Sequence, residues 1–280
     1  MPPTERGGTR SYPVELATLI GQSLARLVRE PSHSRRAEAG RRWARHTLLI
    51  SAVLAVAVVI LMVAIDSFEI GLMPARGTAS LWPLKILTDF GKSAYVLWTL
   101  VALLVIVALL LPLTKGVQRV VMIGIGTRLQ YVFLSVLVAV SATEVLKGMI
   151  GRGRPFVGDS ANPFNFSTFA WGEPYASLPS GHATTAFALA IAVVALFPRL
   201  RGLMLAYAVI ICLTRLVLLA HHASDVVAGA MVGTIGAMAV RYWFAARRLA
   251  FTIRPDGTIE PLPGPSWDRL KKVAQGRAAP

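Results

Sequence analysis

The stretch Leu178-Pro179-Ser180-Gly181-His182-Ala183-Thr184-Thr185 places a hydroxyl, a glycine and an imidazole directly ahead of an apolar run. Pro179 closes a long polar segment, and Ser180 is a good N-cap for the helix expected to follow. Gly181 and His182 then fall in its first turn, where unpaired N–H groups and the helix dipole favour an anion. An imidazole beside an anion site is a candidate acid or base. Glu144, Lys147, Arg152, Arg154, Arg215, His221, His222 and Asp225 also lie in or beside apolar runs. Ionisable residues in such places are costly, which makes them functional candidates. Lys147 and Arg154 are seven apart and share a face if one helix carries both. His221 and Asp225 are four apart, a spacing at which a carboxylate can orient an imidazole. Arg215 lies deep in its apolar run and needs an anionic partner: Glu144, Asp225 or a bound phosphate. Three cations, a helix start and two imidazoles suit a phosphoryl group. The cations and N–H donors hold its charged oxygens, one imidazole attacks phosphorus, and the other protonates the leaving oxygen. Snorkelling accounts for any single Lys or Arg at a span end, but not for the whole set on one face.

The elements that must position these groups are read from composition. Of 280 residues, 55% are hydrophobic and only 15% charged, against about a quarter charged in soluble domains. The apolar residues cluster in long runs, as expected of a polytopic helical membrane protein. The net charge of +15 is distributed as span flanks: nine arginines precede the first apolar run, and another group follows the last. That is the positive-inside pattern. No basic, aromatic-bearing soluble domain is visible, which argues against nucleic acid as a partner. Cys212 is the sole cysteine, so no intramolecular disulfide or thiolate metal cluster can form.

Six spans are expected, at about His46–Ile65, Ser93–Leu113, Leu129–Lys147, Ala183–Phe197, Gly202–Ala220 and Val226–Phe244. Ahead of them, Leu16, Leu19, Ile20, Leu24, Leu27 and Val28 recur at helical spacing; they suit either an amphipathic helix on the membrane surface or a loosely packed arm. Thr114–Arg128 is expected as a basic connection, with Val120–Ile125 open to being helical. Gly148–Ser180 is a polar segment rich in Phe and Trp, of headgroup character. Gly229, Ala230, Gly233, Gly236 and Ala237 would let the last span pack closely. Pro261, Pro263 and Pro265 discourage regular structure in the tail. An Arg-rich N-terminus held in the cytoplasm makes six spans return the C-terminus there. The outer ends of spans three to six then share one surface, and carry nearly all the ionisable residues.

At this point the chain resembles a family. Lys147-x6-Arg154-Pro155, Pro179-Ser180-Gly181-His182 and Arg215-x5-His221-x3-Asp225 together resemble the three-part signature of the type 2 phosphatidic acid phosphatase superfamily. The resemblance covers roughly residues 140 to 245, and six spans match the membrane branch of that family. One departure is Thr214 ahead of Arg215, where the family usually has serine; threonine keeps the hydroxyl. The resemblance implies that His221 is the nucleophile, forming a phosphohistidine, with Asp225 orienting it and His182 as general acid. It implies phosphate binding by Lys147, Arg154, Ser180, Gly181 and Arg215, with no metal or other cofactor. His222 lies seven residues after Arg215 and on an unbroken helix would share its face better than His221. Only the family spacing selects His221, leaving His222 as a wall residue.

The expected architecture is all-α: a six-transmembrane-helix bundle over 46–246, between a basic cytoplasmic arm over 1–45 and a basic, Pro-containing tail over 247–280. The expected function is a metal-independent lipid phosphate phosphatase of the cytoplasmic (inner) membrane, its site facing outward. The partners are the bilayer and a phosphorylated lipid; no oligomeric state is specified. Polyprenyl diphosphate is the first substrate by family analogy, followed by phosphatidic acid, phosphatidylglycerol phosphate and lipid A phosphates. The rivals are a lipid phosphotransferase using the same site and, from another class, a non-catalytic lipid-binding or transport protein. The short spans without paired broken helices argue against transport.

Overall fold

The computed structural model describes residues 11–75, 77–158, 162–254 and 256–264. The expectations for the first ten residues, Arg76, Asp159 and the tail from Pro265 onward lie outside the described residues. The chain is nearly all-α. Its helices are α1 (Tyr12–Val28), α2 (His33–Ala64), α3 (Asp66–Leu72), α4 (Trp82–Asp89), α5 (Ser93–Leu110), α6 (Gly116–Ile150), α7 (Gly181–Leu196), α8 (Arg201–Val217) and α9 (Ala223–Ala246). A two-stranded antiparallel hairpin, β1 (Phe251–Ile253) and β2 (Ile259–Pro261), follows them.

Among the described residues, five segments are long and apolar enough to cross a membrane: His33–Ala64, Ala79–Leu113, Gly116–Ile150, Pro198–Val217 and Ala223–Ala246. The chain is a multi-pass membrane protein. α7 is apolar but has only 16 residues, about 24 Å of helix against a hydrocarbon core of about 30 Å. It is walled in by its neighbours, with Ala183, Ala186, Ala188 and Ala190 fully buried. α2 by contrast exposes Leu48, Leu49, Val53, Val56 and Val63. Such a face suits lipid and would be a liability in water.

The small residues of α9 set the packing. A Cβ on Gly229 would collide with Ser180 O, one on Gly233 with Thr184 O, and one on Gly236 with Ala139. α9 therefore lies against both α7 and α6, and the start of α9 is held beside the start of α7. Around this contact the core gathers Leu100, Tyr131, Val136, Ala188, Ala192, Val240 and Phe244.

Several boundaries differ from the sequence reading. Residues 116–128, expected as a connection, belong to α6, which runs unbroken for 35 residues. The basic residues did not require a loop because other elements satisfy them. Arg119 pairs with Glu15 at 2.6 Å, and Arg128 donates to Gly124 O and Leu262 O. α2 likewise begins at His33 rather than 46, its charged turns stabilised by Arg41–Glu38 and Arg42–Glu38 pairs. The N-terminal arm docks on the bundle: Tyr12 donates to Leu109 O, Gln130 to Ser23, and Trp243 to Leu27 O. The start of the tail is ordered too. Phe251 is fully buried edge-on against Tyr131, with ring centroids 4.7 Å apart, and Pro261 sits on a sheet edge where its missing N–H does no harm.

α2, α6 and α8 end at the face where α5, α7 and α9 begin. Asp66, Thr88, Lys147, Arg152, Ser180, Arg215 and Asp225 meet there, joined by the contacts described next.

Candidate active site

The descent into the site starts where α6 stops. Gly151 adopts the left-handed conformation (φ +62°) and its N–H caps Lys147 O. A Cβ there would be strained and would also strike Ser167 O. The sequence reading put Lys147 and Arg154 on one face if the helix carried both; it ends at Ile150, so they do not share one. Lys147 stays on α6, paired with Glu144 at 2.7 Å, its ammonium 3.1 Å from where a Cβ on Gly181 would sit. Arg154 comes from the following loop, held by its N–H on Pro174 O and its Nε on Glu173 O.

Arg152 turns inward and is fully buried. Its Nη1 donates to Asp225 Oδ1 and to Ser224 Oγ, both at 2.6 Å, its Nη2 to Asp66 Oδ2 at 2.8 Å, and its Nε to Pro163 O at 3.0 Å. Asp66 also accepts the Ser224 N–H and hydroxyl. One guanidinium thus ties the start of α3, just after α2, to the first turn of α9. Neighbouring Glu69 is buried without a partner among the described residues. Its carboxyl is pushed up to about 7 by burial first, and then by the charges of Asp66 and Asp225.

His221 lies in the turn before α9, so it does not share a helix face with Asp225. Its Nδ1 stands 2.9 Å from Ser177 O and 3.7 Å from Asp225 Oδ2. A carbonyl only accepts, so Nδ1 carries the proton and Nε2 the lone pair. Asp225 Oδ2 is engaged by the Ser177 hydroxyl at 2.5 Å and the His222 N–H at 2.9 Å. Asp225 therefore fixes Ser177 and the start of α9, and Ser177 in turn aims the imidazole. Burial drives His221 down to about 4, with Asp225 opposing and Arg215 and Arg154 adding to the fall. The imidazole is neutral at pH 7. His222, fully buried, forms part of the wall.

Ser180 occupies the N-cap position of α7, but its hydroxyl makes no cap bond. Its N–H donates to Asp225 O at 2.9 Å, locking the two helix starts together. Ser180 Oγ, His182 Nε2 and Arg215 Nε are among the buried polar atoms without a hydrogen-bond partner among the described residues, as are both ring nitrogens of His222. His182 is within electrostatic reach of Arg215, His221 and Lys147. Arg215 donates Nη1 to Thr88 Oγ1 at 2.8 Å. Of the carboxylates that could answer it, Glu144 is paired with Lys147, Asp225 with Arg152 and Asp89, whose charge reaches Arg215, with Lys92, so a bound anion would find the guanidinium open. Buried groups without partners call for such a ligand. Sequence reasoning gave Asp66, Thr88, Ser177 and Ser224 no role and left Arg152 unassigned. The available signals were an aspartate at the very end of an apolar run and a second arginine two residues before Arg154.

The PAP2 superfamily model matches residues 128–249, a range that includes Lys147, Arg154, Ser180, His182, Arg215, His221 and Asp225. The lipid A 1-phosphatase of Rhizobium johnstonii is 33% identical over 177 residues, 62% of this chain and 71% of that protein. The lipid A 1-phosphatase of Rhizobium etli is 32% identical, over 62% and 75% respectively. No solved structure matches the chain. Taken with the polar atoms left open beside a neutral histidine, these similarities place the chain in the PAP2 superfamily, as a phosphatase.

Proposed function

We propose that the protein hydrolyses the phosphate of a membrane lipid through a phosphohistidine on His221. The observation that carries this reading is the set of unpartnered Ser180 Oγ, His182 Nε2 and Arg215 Nε beside a neutral His221. The phosphoryl oxygens are held by Lys147, Arg154, Arg215, Ser180 and the N–H groups at Gly181. His221 Nε2 attacks phosphorus, and the bond to the lipid oxygen breaks as His182, protonated with the phosphate anion beside it to offset burial and the charges of Arg215 and Lys147, donates that proton to the oxygen. His182, now neutral, takes a proton from water as the water oxygen attacks phosphorus. The P–N bond breaks, and phosphate leaves with His221 restored. The chain's own cations stabilise the charge, so no metal is required.

The lipid reading is supported by a cavity of about 780 Å³ between α4–α5 and α7–α8, lined by Phe90, Tyr95, Leu100, Leu189, Met204 and Tyr207. Gly91, next to Phe90, lies against His182 and Ile211, so an alkyl chain in this cleft leads to the histidines. The Arg-rich N-terminus favours a cytoplasmic side for both termini. The site then faces out of the cytoplasm, with exposed Phe169 and Trp171 at headgroup level. Names of the relatives move lipid A 1-phosphate ahead of polyprenyl diphosphate as the first substrate.

Purified protein with EDTA is expected to release phosphate from lipid A 1-phosphate faster than from polyprenyl diphosphate, phosphatidic acid or phosphatidylglycerol phosphate. Complete loss of turnover in EDTA would overturn the metal-free mechanism. Transfer of phosphate to a second lipid, without release, would make the enzyme a phosphotransferase. The pH profile gives a further check. The nucleophile works neutral and is lost only as pH falls through about 4. The acidic limb of kcat/KM is therefore expected well below the ordinary imidazole value of about 6.5. A limb at 6.5 that the substrate phosphate's own titration at about 6 does not account for would contradict a buried, uncharged His221.

A further inference from the structure

At the end of the bundle opposite the histidines, the N-terminal turns of α2 and the last turns of α9 enclose a cavity of about 430 Å³. Arg36 and Arg247 line it together with Trp43, Trp243, Gly40 and Glu30. Arg247 is 8% exposed. Its guanidinium stacks over the Trp243 ring at 3.5 Å and donates Nη1 to Trp243 O, and its buried Nε has no partner among the described residues. Arg36 is near enough for the two positive charges to repel. Although Glu30 lines the same cavity, no described carboxylate lies within 4.0 Å of either guanidinium. Two guanidiniums facing one space, one of them buried with an open donor, are stable only with an anion between them or at an electrostatic cost.

The cavity's place along α2 says where the anion comes from. Arg35, Arg41 and Arg45 lie at this level, and the exposed apolar face of α2 begins just beyond, at Leu48 and Leu49. Trp43 and Trp243 are each partly exposed at the boundary, as tryptophans are at a headgroup layer. We propose that this cleft binds the phosphodiester headgroup of an anionic phospholipid. Arg36 and Arg247 hold the phosphate, while the acyl chains lie along the exposed face of α2. The site is separate from the histidines and binds lipid without turning it over.

The test uses the purified full-length chain in a neutral detergent, with lipid binding followed by native mass spectrometry and by the Tm. Phosphatidylglycerol is expected to bind and raise the Tm, and phosphatidylcholine to do neither. Arg36→Gln removes an exposed cation and Gly40→Leu fills the cleft, since a Cβ at Gly40 meets open space. Each is expected to weaken phosphatidylglycerol binding about tenfold, whereas Arg215→Gln, which damages the histidine site, leaves it unchanged. Wild-type binding in both Arg36→Gln and Gly40→Leu would overturn the proposal, as would equal binding of phosphatidylcholine. Inorganic phosphate reproducing the shift on its own would overturn the lipid assignment. Loss of binding in Arg215→Gln alone would put the lipid in the catalytic site instead.

Discussion

His221→Ala is expected to lower phosphate release by about 10,000-fold or more while leaving a folded, membrane-inserted protein. Removing a covalent nucleophile deletes the reaction path itself, so the residual rate reflects only binding and charge stabilisation by the remaining groups. The fold survives because His221 lies in a turn and gives the structure one hydrogen bond, from Nδ1 to Ser177 O. Arg152, Asp66, Ser224 and Asp225 hold the start of α9 without it. His182→Ala should cost less, about 100- to 10,000-fold, which is the range for a general acid. The two variants are told apart by the leaving group. A substrate such as p-nitrophenyl phosphate departs without protonation, so it should rescue His182→Ala substantially and His221→Ala not at all. Rapid quench with radiolabelled substrate checks the intermediate: acid-labile label on the wild type, none on His221→Ala. Near-normal turnover in His221→Ala would end the phosphohistidine proposal.

Arg152→Met is expected to be the most destabilising single change at the site. Its guanidinium is 0% exposed and joins two carboxylates that are themselves fully buried. Removing one partner of a buried ion pair costs about 3–5 kcal/mol, because the remaining charge is stranded. Here two anions would be stranded, with Glu69 close to both. The expected result is a large fall in Tm and poor recovery from the membrane. Asp66→Asn should cost less, since Arg152 keeps Asp225 and the amide still accepts from Ser224. The double variant should lose less than the sum of the two, as contacting groups do. Unchanged thermal unfolding in Arg152→Met would show that the network does not hold the bundle end together.

Much of the site was legible in the chain because its residues mark themselves chemically. An Arg, Lys or His in an apolar run is rare enough to be informative alone, and the spacing of Lys147, Arg154, Arg215, His221 and Asp225 added the family resemblance. The long apolar segments were legible for the same reason, since a bilayer sets their length. Helix ends were less so. Nothing in Thr114–Arg128 says that Glu15 and the tail would satisfy Arg119 and Arg128 and let α6 run straight through.

What the sequence determined by itself is therefore composition-bearing: a helical membrane chain, a small-residue face on α9, and a set of cations and imidazoles suited to phosphate. What only the tertiary structure decided is which polar group satisfies which. Asp66 and Ser224 are 158 residues apart and meet only because α2 and α9 pack side by side. The four-residue spacing of His221 and Asp225 suggested a direct pair, yet the turn before α9 gives the imidazole to Ser177 O and the carboxylate to Arg152. Hydrogen bonds act over about 3 Å and are directional. Pairing inside the bundle therefore depends on where each helix stops, and the stops are set by contacts made far away in the chain.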